Sequence, residues 1–117
     1  MSTFAKICLS GAANGLAIKI AATASPGTTV HTCPAGTTSE DEIWLWAYNS
    51  DTTAHLLTIE FGDTTAPDHN IAVMVPSQGG VQRVIPGLIL QNSKVVTAFA
   101  ATTNVVTLTG YVNRITN

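Results

Sequence analysis

Apolar and polar residues alternate with a period of two along most of the chain, in short runs separated by Gly, Pro, Asn and Ser. A period of two sends successive side chains to opposite faces of an extended strand. The clearest run is Ile43–Asn49, where Ile43, Leu45 and Ala47 share one face and Trp44, Trp46 and Tyr48 the other. His55–Phe61 repeats the pattern with Leu57, Ile59 and Phe61, and Asn70–Val75 with Ile71, Val73 and Val75. No window places apolar residues at the helical spacing of three and four, so little helix is expected.

Further strands are expected over Phe4–Leu9, Leu16–Ala22, Thr28–Cys33, Val81–Ile85, Lys94–Ala100 and Val105–Val112. A short apolar run at Leu88–Leu90 follows Pro86-Gly87. Ser50-Asp51-Thr52-Thr53 reads as a turn joining Ile43–Asn49 to His55–Phe61 in a hairpin, and residues 34–42 read as a loop. About eight strands with closely spaced turns describe an all-β, antiparallel two-sheet β-sandwich. A jelly-roll-like topology is preferred to an immunoglobulin-like one. The 117 residues make one domain, with residues 1–6 as a possible N-terminal arm.

Composition sharpens this picture. Hydrophobic residues make up 45% and the mean hydropathy is +0.28, which excludes an intrinsically disordered chain. Charged residues are only 10%, against about 25% in ordinary soluble domains. A folded chain of this mass exposes about 6,000 Å², so charges are sparse, and a surface of that kind favours self-association. The alternative to self-association is that the 18 threonines supply the polar surface instead. A net charge of −2 without a basic cluster argues against direct nucleic-acid binding. No apolar run is long enough to cross a membrane as a helix, and Met1–Lys6 does not read as a signal peptide.

Catalytic and metal signatures are weak. Cys8 and Cys33 read as free thiols in or near the core. His31-Thr32-Cys33 puts two potential ligands on one strand face, and Asp68-His69 could complete a site. Zinc sites normally use two closely spaced ligand pairs, so a surface or edge histidine that binds nothing is expected. Ser10 and Ser77 sit among turn residues, without a nucleophile elbow. Glu40, Asp41 and Glu42 read as a solvated cluster, and Glu60 with Asp63 as the one conceivable carboxylate pair. Gly11–Gly15 lacks the Lys-Ser or Lys-Thr of a phosphate loop. The expectation is no enzyme, no metal and no cofactor. Trp44, Trp46 and Tyr48 remain as candidates for an interface or for stacking on a glycan. Burial against a second sheet or a neighbouring subunit is the commoner fate of such a face.

The stretch Ile43–Ala54, continuing through Leu57–Gly62, resembles small virion proteins of tailed bacteriophages. So do Val84–Leu90 and the ending Gly110–Arg114. The resemblance implies a virion location and, as the leading role, a capsid decoration or cement protein. Such a protein would trimerise and clamp neighbouring major capsid subunits, without contacting nucleic acid or membrane. A ring-forming neck, tail or baseplate component, or a carbohydrate-binding module on the particle surface, are the alternatives.

Overall fold

The computed structural model describes residues 2–117, folded into nine strands and, among the described residues, no helix. These are β1 (Thr3–Cys8), β2 (Ile18–Lys19), β3 (Thr28–Thr32), β4 (Ser39–Asn49), β5 (His55–Gly62), β6 (Asn70–Val75), β7 (Gln82–Leu90), β8 (Val95–Ala100) and β9 (Val106–Thr116). Two antiparallel sheets form a sandwich. One runs β1-β9-β4-β7, with β2 also on β9; the other runs β3-β8-β5-β6. The accessible surface is 5980 Å², close to the roughly 6,000 Å² expected of a compact monomer.

The spine of the larger sheet is the β4–β9 pair, in register from Ser39↔Thr116 to Asn49↔Val106. Alternation then decides the core. Ile43, Leu45, Ala47, Leu108 and Val112 point inward from this sheet and meet Val30, Leu57, Ile59, Val96 and Ala98 from the other. All ten have no solvent exposure. Each large aliphatic side chain buried in this way contributes about 1.5–3 kcal/mol. Gly110 is required where the spine is tightest, because a Cβ there would sit 1.9 Å from the Trp44 carbonyl oxygen.

Four expectations are corrected. β4 and β5 are not a hairpin: β4 pairs with β9 and β7, while β5 pairs with β6 and β8 in the other sheet. The buried Asn49 redirects the chain. Its Nδ2 donates to the carbonyls of Thr53 and Val75, and its Oδ1 accepts from the Asp51 amide. The supposed loop over residues 34–42 ends early, since β4 already begins at Ser39. Val81–Ile85 and Leu88–Leu90 are one strand, β7, which passes through Pro86 with two register shifts against β4. Of Leu16–Ala22 only Ile18–Lys19 is strand, and Leu16 is largely exposed.

The segment read as an N-terminal arm lies in β1 from Thr3 onward, paired with β9 from Thr116 to Tyr111. Met1 lies outside the described residues.

Candidate interaction surface

The alternation that buries Ile43, Leu45 and Ala47 turns Glu42, Trp44, Trp46 and Tyr48 outward. No second layer covers this face among the described residues, so the aromatics are half-buried on the outside of the sandwich. Register brings in a residue from far along the chain: Tyr111 lies opposite Trp44. The three rings pack together, with Trp44 and Trp46 centroids 6.2 Å apart and their planes 19° off parallel. Tyr111 lies 6.3 Å from Trp44 and 5.9 Å from Trp46. Aromatic pairs at these separations are favourable beyond the area they bury. Tyr48, opposite Thr107, lies outside the stack.

Neighbouring strands fix the stack. Gly87 of β7, at φ +79°, leaves room for the Trp44 indole, whose ring atoms would lie 2.7 Å from a Cβ there. The Trp44 Nε1–H donates to Glu42 Oε1 at 2.7 Å, and Asn113 Nδ2 donates to the same oxygen at 3.0 Å. These bonds hold the Glu42 carboxyl below its ordinary value. Lys6 Nζ stands 4.6 Å from the Tyr111 ring centroid, a cation–π contact. Beside the stack, Phe4, Ala5, Lys6, Glu42, Asn113 and Ile115 line a groove of about 380 Å³. Among the described residues, Phe4 is the most exposed large apolar side chain, at 76%. Sequence pattern alone found Trp44 and Trp46 but not Tyr111, whose role depends on a pairing 67 residues distant.

A second, aliphatic patch lies on the outward face of the other sheet. Leu56 and Met74 pair across β5 and β6 and remain 44% and 58% exposed. Thr58 and Phe99 adjoin them, paired across β5 and β8.

The acidic residues are less available than the sequence suggested. Asp41, expected in a solvated cluster, is wholly buried between the sheets. Arg114 binds it through both Nε (2.8 Å) and Nη2 (2.9 Å), and His31 Nε2 lies 2.7 Å from Oδ2. His31 is not a surface histidine but fully buried. Its Nδ1 accepts the Ser10 amide at 3.0 Å, so the proton sits on Nε2 and the ring is neutral. Burial pushes the Asp41 carboxyl up, but the hydrogen bonds from Arg114 and His31 outweigh it and leave it below the ordinary range. The same contact raises the Arg114 guanidinium.

Cys33 lies beside this cluster, its sulfur within 4.8 Å of ligand atoms on His31 and Asp41. The third potential ligand is therefore Asp41 rather than Asp68 or His69. Both imidazole nitrogens and both carboxylate oxygens already have partners, and a guanidinium occupies the cation's place. Burial, reinforced by the Asp41 charge, pushes the Cys33 thiol to about 11, so it stays protonated. The cluster ties β3 of one sheet to β4 and β9 of the other. Cys33 is the core thiol expected; Cys8 is exposed, and the two are not bonded.

Glu60 is also buried, and Asp63 is exposed, so they form no matched pair. Glu60 Oε1 accepts from the Gly27 amide (2.8 Å) and Thr97 Oγ1 (2.6 Å), and Oε2 accepts from Ser25 Oγ. Burial raises this carboxyl, and the three donors bring it below its usual value. Asp51 is held by His55 at 2.7 Å. Ser77 donates to the Asp51 carbonyl and Ser10 Oγ accepts the Thr32 amide, bonds that tie distant segments together rather than closing the local turns expected. No family model, curated protein or solved structure matches the chain.

Proposed function

We propose that the chain is a non-enzymatic virion structural protein of the tailed-bacteriophage kind, acting as a capsid decoration protein. In this reading it self-associates, with a trimer expected, and clamps neighbouring major capsid subunits at the particle surface. The observation that carries the reading is the outward aromatic face of Trp44, Trp46 and Tyr111, continuous with the exposed Phe4 groove. Apolar surface backed by a rigid sheet and fringed by Lys6, Glu42 and Asn113 has the composition of an interface core with a polar rim.

Charge supports the same reading. Of seven carboxylates, Asp41 and Glu60 are buried and Glu42 and Asp51 are tied to neighbouring side chains. Asp63 and Asp68 are exposed, and Glu40 is bound only by Asn117 Nδ2 at 3.4 Å. A standard interface covers about 800 Å² per partner, so two neighbours in a trimer would cover about a quarter of the 5980 Å² surface. Light scattering after size exclusion tests this, with a mass near three times 12.2 kDa expected.

A second reading has one specific observation in its favour. Three near-parallel rings beside a polar groove with a carboxylate, an amide and an ammonium also suit a carbohydrate. Glycan binding that disappears in a folded Trp46→Ala variant would favour that reading over assembly.

A further inference from the structure

A sheet edge leaves backbone donors and acceptors unpaired, and proteins normally protect such edges with lysine, proline, bulges or covering chain. Three of the four edges here are protected. β1 carries Lys6 at its centre. β7 carries Arg83 and Pro86 and is irregular against β4. β3 has a bulge and is covered from outside: the Gly11 amide donates to the Val30 carbonyl, and Ser10 Oγ accepts the Thr32 amide.

The fourth edge, β6, has none of these devices. Its sequence, Asn70-Ile71-Ala72-Val73-Met74-Val75, contains no charge, no proline and no bulge against β5. The Phe61 amide bonds the His69 carbonyl just before the pairing begins, which fixes which residues face β5. In an antiparallel ladder the bonded pairs recur every second residue, so Ile71, Val73 and Val75 bond to β5. Ala72 and Met74 therefore direct their N–H and C=O groups away from the sheet, and these four groups have no partner among the described residues. Both side chains are exposed.

We propose that β6 pairs antiparallel with β6 of a second copy of this chain, about a twofold axis at Val73. In that register Ala72 bonds Met74 of the other copy, and the reverse, giving four backbone hydrogen bonds. A small side chain then lies opposite a large one in each row. Extending across the joined sheet, each row reads Phe99, Thr58, Ala72, then the other copy's Met74 and Leu56. Neither row contains an ionisable side chain, so the contact brings no like charges together. The two copies' exposed Leu56 and Met74 patches merge into one apolar strip, and two four-stranded sheets become one of eight.

The contact rests on the assembly reading and adds a twofold element to it, distinct from the threefold one. Ala72→Pro is the sharpest variant, since it deletes an outward N–H that β5 does not use and proline is tolerated on edges. Amide exchange of the unmodified protein is followed at Ala72 and Met74 over a range of concentrations, alongside its mass. Protection of both amides that rises with concentration is expected, with dissociation of the contact at least tenfold easier in Ala72→Pro.

Both amides exchanging freely at every concentration would overturn the proposal, whatever the mass, and needs no variant to be seen. Such free exchange in a trimer would overturn the β6 contact alone. Protected amides in a simple dimer would uphold it and remove the threefold reading. Protection appearing only when major capsid protein is added would show a different occupant and overturn it.

Discussion

His31 and Asp41 meet at 2.7 Å across the sheet interface, and neither has any exposure to solvent. The Ser10 amide fixes the tautomer of the imidazole, and Arg114 balances the carboxylate charge. This gives the sandwich a buried polar joint between its two sheets.

Removing the carboxylate should be severe. Asp41→Ala leaves Arg114 and the His31 N–H facing a buried gap, and breaking a buried pair in this way costs about 3–5 kcal/mol. Because Arg114 is partly exposed, Arg114→Ala leaves its carboxylate without its main partner but allows water to enter. Urea denaturation of both variants should give a lower midpoint than the unmodified protein. A midpoint for Asp41→Ala within error of it would show the joint to be dispensable.

Acid should act on the same groups. The Asp41 and Glu60 carboxyls lie below their ordinary 3.8 and 4.5 in the folded protein. The unfolded chain therefore binds protons where the folded one does not, and stability rises with pH in that range. The contribution is complete above the unfolded values and is lost as pH falls through them toward the lower folded values. Denaturation midpoints measured from about pH 6 to about pH 3 should decline, and Glu60→Gln should show a shallower decline.

The reach of sequence reasoning follows from which interactions are local. The inward set of β4 was legible because alternation needs only the neighbours of Ile43, Leu45 and Ala47. The same alternation runs on through Asp41, yet its burial was hidden because its partner, Arg114, lies 73 residues away. Glu40-Asp41-Glu42 looked solvated since a charge without a visible partner belongs in water. The β4–β5 connection departs from the expected hairpin for a related reason. A Ser-Asp-Thr-Thr turn suits a hairpin or a crossover equally, and the choice is made by Asn49 reaching Val75. Tyr111 joined the aromatic stack only through strand register.

Backbone proximity gives a sharper contrast between two glycines. Gly110→Ala forces a Cβ to 1.9 Å from the Trp44 carbonyl oxygen, which neither strand of the spine can relieve without losing register. A loss above about 4 kcal/mol is expected. Gly36, at φ +83° with open space around it, should cost about 1–2 kcal/mol as Gly36→Ala, from backbone strain alone. Thermal denaturation of the pair checks the order, and equal losses would contradict it.

The thiols should differ in reactivity. Cys33 is buried and its thiol pushed to about 11, whereas Cys8 is exposed. A thiol reagent at neutral pH should modify one group rapidly, and none rapidly in Cys8→Ser. The Cys33 thiol should react only on unfolding. Two rapid thiols in the native protein would contradict the position of Cys33.

On the function proposed above, a sandwich with so little free charge and two outward apolar patches assembles with itself. Absolute mass by light scattering, measured over a wide concentration range, checks this. Species heavier than 12.2 kDa are expected, with a threefold mass prominent, and should shrink when Trp44 and Trp46 are replaced by serine. A single species of 12.2 kDa at the highest soluble concentration would contradict it.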